Sequence, residues 1–78
     1  MKSKEYAHMR PGEPIIGRVV NCVKLNVRVA PEEGAEVLGT IPVDSEVLID
    51  ENESTDAFYN VRVASGLEGF CMRQFIAV

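Results

Sequence analysis

The stretch KLNVRVAP, Lys24 to Pro31, decides the fold. Leu25, Val27 and Val29 alternate with Asn26 and Arg28, a period of two that sends one set of side chains to a core and the other toward solvent or a loop, as a β-strand does. Pro31 ends the run because its ring nitrogen has no hydrogen to give to a ladder. The polar side chains of the run are read as loop anchors. Arg28 has a planar donor fork suited to backbone carbonyls or a neighbouring acid, and Asn26 is suited to bonding its own loop backbone.

Working outward, the same kind of run recurs from Gly17 onward: Arg18 to Val23, Val37 to Ile41, Glu46 to Ile49, Phe58 to Val63, Gly69 to Met72 and Ile76 to Val78. Turn signals separate the runs at intervals of about ten residues, the pattern of a small sandwich or barrel, and no helix-period stretch competes with it. "PEEGAE" is a polar loop in which Gly34 is free to turn left-handed. "PVDSE" is a tight turn whose Asp44 tolerates that region, and "ASGLEG" puts Gly66 at a hairpin tip. Residues 1–14 carry no periodicity and two of the four prolines, so an irregular N-terminal arm is expected there and one domain over residues 15–78.

Composition sets the class. A chain of 78 residues with 46% hydrophobic and 26% charged residues is globular and buries roughly 60 to 65% of its unfolded surface, enough for one small core but not for a catalytic cavity beside it. Lys2 and Lys4 are followed by Glu5, His8, Arg10 and Glu13, where an export signal would need an apolar run of about 7 to 15 residues. A cytoplasmic location is therefore expected, with the cell wall or the extracellular space as the alternative for a piece of a larger protein. No uninterrupted apolar run exceeds four residues, so no membrane association is expected. The net charge is −4, and nine of the twelve acids lie between residues 29 and 61, where there is no Lys or Arg. Such a field repels phosphate backbones, which argues against nucleic acid, and it favours a cationic partner.

In this order and spacing, "LNVR" with Pro31, "VLGTI", "VLI", "FYNV" and the closing "GLEGFCMRQFI" resemble the bacterial Src-homology-3-like domain, over residues 17 to 78. The resemblance implies an all-β, strongly bent barrel of five to six short antiparallel strands, closed by pairing between its terminal regions. Many such domains accompany cell-wall hydrolases and bind peptidoglycan. Phe58 stands where the family usually has tryptophan, Phe70 where tryptophan or tyrosine is common, and Asp44 where a turn glycine is frequent. In the eukaryotic relatives of this barrel, the positions matching Phe58, Met72 and Phe75 hold the tryptophan, proline and tyrosine of a peptide groove. The resemblance also places Glu32, Glu33 and Asp56 as an acidic rim to that strip, with Tyr59 adding an edge.

Other residues offer less chemistry. A bridge between Cys22 and Cys71 would close a loop of about 50 residues and stabilise by about 4 kcal/mol, but both lie in apolar strand contexts where free cysteine behaves as a small hydrophobe, and free thiols are the favoured reading. His8 has no partner pattern for a nucleophile–base pair, and the cysteines and histidine lack zinc spacing. "DENESTD" puts Asp50, Asn52, Ser54 and Asp56 at alternate positions, as a calcium loop would. It has Thr55 where that loop needs glycine and Val61 where it needs a bidentate glutamate. The glycines form no phosphate cradle.

The expectation is a non-catalytic, monomeric binding module with no metal and no cofactor. It recognises a protein or peptide, a basic one favoured, through Phe58, Tyr59, Met72 and Phe75 with Glu32, Glu33 and Asp56 at the rim. The alternative is a peptidoglycan-binding module, taking a cell-wall peptide beside a lytic enzyme.

Overall fold

The computed structural model describes residues 15–78, and the arm expected over residues 1–14 lies outside them. Seven strands follow one another: β1 (Ile15–Val19), β2 (Lys24–Arg28), β3 (Val37–Pro42), β4 (Glu46–Asp50), β5 (Phe58–Arg62), β6 (Glu68–Met72) and β7 (Ile76–Ala77). Two single 3-10 turns, Glu51–Glu53 and Arg73–Phe75, are the only helical backbone among the described residues. The strands form one antiparallel sheet in the order β3-β2-β6-β5-β4-β1-β7. The all-β expectation therefore holds, with seven strands in place of five or six. The first and last strands pair with each other, Arg18 opposite Ala77 and Val19 opposite Ile76. Among the described residues no helix is long and apolar enough to cross a membrane.

The opening stretch forms β2, in which Leu25 and Val27 are buried and Lys24 and Asn26 are exposed. Val29, expected on the buried face, is 53% exposed. The pairing of β2 with β3 shifts register between Val27 and Arg28, and Val29 lies past that irregularity, beyond the end of the strand.

Alternation along each strand assembles a single core from Val19, Leu25, Val27, Ile41, Val47, Ile49, Tyr59, Val61, Cys71 and Ile76. Ile41 belongs to β3 at one edge of the sheet and Ile76 to β7 at the other. Seven strands laid flat would separate those edges by about 29 Å, at about 4.8 Å per strand. Shared membership of one core means that the sheet curls on itself. Burying each such side chain contributes about 1.5–3 kcal/mol, so the curl is driven by the apolar faces of strands at both edges.

The joint between β2 and β6 is narrow. Arg28 opposite Phe70 is the register pair that links them, and Gly69 sits beside it because a Cβ there would come 2.5 Å from the Arg28 carbonyl oxygen and 2.7 Å from Val27 Cγ1. Turn chemistry accounts for the left-handed residues: Asp44 has φ 72° and Gly66 φ 98°, both as expected, and Asn21 joins them at 63°. Gly34 is not left-handed, which corrects the expectation for "PEEGAE". That loop turns through ordinary backbone, with Ala35 N–H donating to the Glu32 carbonyl at 3.1 Å.

Candidate functional site

The strip expected from the sequence is divided by the geometry of β5. Phe58 lies opposite Met72 and Tyr59 opposite Cys71, so the two adjacent rings point to opposite faces of the sheet. Phe58 and Met72 are brought together on one face. Tyr59 joins the core on the other, and Phe75 packs against that same core while its carbonyl accepts the Val20 N–H at 2.8 Å. Phe58 is 4% exposed and Tyr59 8%, so two of the four apolar side chains contribute almost no contact surface.

The acidic rim is divided as well. Asp56 is exposed two residues ahead of Phe58, and Glu32 and Glu33 are exposed after β2. Because β2 runs antiparallel to β6 from Arg28 opposite Phe70, the chain leaving Arg28 toward Glu32 travels along β6 away from Met72. Glu32 and Glu33 thus leave from the other end of the ladder.

Residues 50–57 use their polar groups to hold their own shape. Asp50 Oδ1 accepts the Asn52 N–H at 3.0 Å, and Ser54 Oγ donates to the Asp50 carbonyl at 2.8 Å while accepting the Asn60 N–H at 2.9 Å. Thr55 Oγ1 accepts the Phe58 N–H at 3.2 Å. Arg73, which the sequence reading passed over, clamps this loop. Its Nε donates to the Thr55 carbonyl at 2.7 Å, Nη2 reaches Glu51 Oε1 at 3.3 Å, and the guanidinium lies 4.3 Å from the Tyr59 ring centroid. Among the described residues no three His, Cys, Asp or Glu side chains gather as a metal site would require. Arg28 does what its sequence context predicts, Nη1 donating to the Ala35 carbonyl at 3.0 Å across the loop after Pro31.

Both cysteines are free thiols, Cys71 fully buried and Cys22 partly so, and Cys22 packs against the core that contains Cys71. Burial, and secondly the nearby Cys22, push the Cys71 thiol from 9.0 up to about 12. A thiol so poised stays protonated and unreactive, since the thiolate is the nucleophile.

Among the described residues, open concave surface lies elsewhere, where the β3–β4 turn faces the β5–β6 hairpin. Two depressions of about 440 and 380 Å³ adjoin there and share Glu46, Val63 and Ala64. The first extends over Thr40, Pro42 and Ser45, the second over Leu48, Arg62 and Gly66. Each volume falls in the range of ligand sites, about 300–1,000 Å³.

The walls are fixed by backbone bonds. In the turn, Asp44 N–H donates to the Val19 carbonyl at 2.8 Å and Val19 N–H to the Ser45 carbonyl at 3.0 Å. In the hairpin, Gly66 N–H donates to the Val63 carbonyl at 2.9 Å and Val63 N–H to the Leu67 carbonyl at 3.0 Å. Leu48 is 42% exposed, and its partner across β1, Ile16, is 61% exposed. Arg62 is neutralised by Glu68, Nε to Oε2 at 2.7 Å. The sequence reading placed none of these residues in its candidate site. The outward parity of Leu48 between buried Val47 and Ile49 was the one signal that could have marked them.

No protein-family model matches this sequence, and no curated protein matches it.

Proposed function

We propose that this protein is a non-catalytic binding module that recognises a protein or peptide segment on the shelf between the β3–β4 turn and the β5–β6 hairpin. The observation that carries the reading is the shelf itself: two joined, ligand-sized depressions floored by Leu48, Val63 and Ala64 on walls pinned by backbone hydrogen bonds. A surface fixed before its ligand arrives loses little freedom on binding, and apolar area with a few polar groups gives both contact and orientation. The small all-β fold agrees with the resemblance to Src-homology-3-like domains, which serve as recognition modules. The Phe58–Met72 pair lies at the other end of the β5–β6 ladder from the hairpin that walls this shelf and lines neither depression.

The test is peptide selection on the immobilised chain, with Leu48→Glu as a parallel target. Leu48 is an exposed strand residue, so the variant folds while the shelf floor gains a charge. Selected peptides are expected to bind the parent and not the variant; peptides that bind both equally would overturn the assignment. Purified peptidoglycan in the same comparison examines the cell-wall reading. It stands second because the acidic side of the molecule repels phosphate-rich wall polymers.

A further inference from the structure

We infer that the shelf selects a cationic extended peptide, with a Lys or Arg side chain set against the Glu46 carboxylate and aliphatic neighbours over Leu48 and Val63. The inference rests on the binding reading above and specifies its ligand. Glu46 is exposed and belongs to both depressions, so a charge placed there is within reach from either half of the shelf. The two cations nearby each bond a group other than the Glu46 carboxylate. Arg62 is paired with Glu68 at 2.7 Å, and Arg18, opposite Glu46 in the β1–β4 register, donates through Nη1 to the Asp44 carbonyl at 3.1 Å. Among the described residues Glu46 makes no ion pair.

The wider field has the same sign. On the turn side no Lys or Arg occurs between residues 29 and 61, the span that supplies β3, the β3–β4 turn and β4, and on the hairpin side the charge of Arg62 is offset by Glu68. A cationic side chain is therefore attracted on approach as well as at contact. The floor sets the other half of the preference: Leu48, Val63 and Ala64 line the same depression as the carboxylate. The aliphatic stem of a lysine or arginine can lie along such surface while its charged head stays in water near Glu46.

The experiment titrates the full ¹⁵N-labelled chain with three capped peptides, Ac-Val-Lys-Leu-NH2, Ac-Val-Gln-Leu-NH2 and Ac-Val-Glu-Leu-NH2, followed by amide chemical shifts. The lysine peptide is expected to move the amides of Glu46, Leu48 and residues 63–66. It should bind about two- to fivefold more tightly than the glutamine peptide, the scale of an exposed ion pair. The difference should vanish in Glu46→Gln and shrink at high salt. Equal binding of all three peptides at the shelf, or a lysine preference that survives in Glu46→Gln, overturns the charge selection and leaves the binding reading standing. No shift at the shelf with any peptide up to about 10 mM, where even affinities of about −3 kcal/mol would register, overturns both.

Discussion

Replacing Gly69 by alanine tests how the β2–β3 hairpin is attached to the rest of the sheet. The added Cβ would stand 2.5 Å from the Arg28 carbonyl oxygen and 2.7 Å from Val27 Cγ1, nearly an ångström short of ordinary contact. The first obstacle is backbone beside the register pair Arg28–Phe70 that joins β2 to β6, so no flexible side chain can swing away to make room. Overpacking costs about 1–3 kcal/mol and sometimes more. With backbone as the wall, the upper end applies, about 3 kcal/mol. A chain of this length has roughly 4–12 kcal/mol in all, and each kcal/mol is worth about 4–8 °C, so Tm should fall by about 10–25 °C. Gly34→Ala is the control, because its Cβ meets nothing within 4 Å and its φ is not left-handed; it should stay within about 0.5 kcal/mol of the parent. Urea and thermal denaturation followed by far-ultraviolet circular dichroism measure both. If Gly69→Ala loses less than about 0.5 kcal/mol, the close approach of β6 to β2 is not part of the native packing and the argument fails.

Phe58→Ala should destabilise by about 3 kcal/mol, as for a buried aromatic, with Phe58→Leu recovering most of the loss; an alanine variant as stable as the parent would show that the ring does not pack. Arg73→Ala removes the stack on Tyr59 and the bond to Thr55 and should cost about 1–2 kcal/mol in urea titrations, while Arg73→Lys keeps the charge and loses the fork. The raised Cys71 thiol makes stability depend on pH at the alkaline end. The unfolded chain releases this proton near 9.0 and the folded chain near about 12, so the contribution is complete below about pH 9. It is lost as pH rises toward 12, by at most about 1.4 kcal/mol per unit. Denaturation at several pH values above 9 should give a steeper loss for the parent than for Cys71→Ala, and equal slopes would refute the assignment.

The strand content was legible because KLNVRVAP and its successors alternate cleanly and because Asp44 and Gly66 stand where turns require a left-handed residue. Arg28 could be read as an anchor from its place before Pro31, and its bond to the Ala35 carbonyl is of that kind. Facing was harder. In Phe58-Tyr59 two aromatic residues are adjacent, alternation must send them to opposite sides, and local pattern cannot say which ring meets the core. The divided acidic rim has a related origin, since the direction of β2 relative to β6 depends on a pairing between residues far apart in the chain. Arg73 clamps Thr55 across a separation of 18 residues, which no periodicity announces. The shelf was invisible for the same reason. Glu46 and Leu48 look like the outward half of an ordinary strand until the hairpin at residues 63–66 is folded over beside them.

The small size of the domain explains why a binding surface would sit at this place. The interior is taken up by the apolar side chains that curl the sheet, and a chain this short cannot enclose a ligand and still bury enough core to fold. Recognition of the kind proposed would then use relief on the outside, and in a curled sheet relief arises where strands from opposite ends approach without sharing a ladder. β3 and β4 are joined through the turn at residues 43–45 but lie apart in the strand order, and the β5–β6 hairpin tip closes the third side of the gap they leave. The same hydrogen bonds that let the chain reverse at Asp44 and Gly66 hold the two walls of that gap, so in the proposed reading a single set of turn residues would serve folding and ligand contact together.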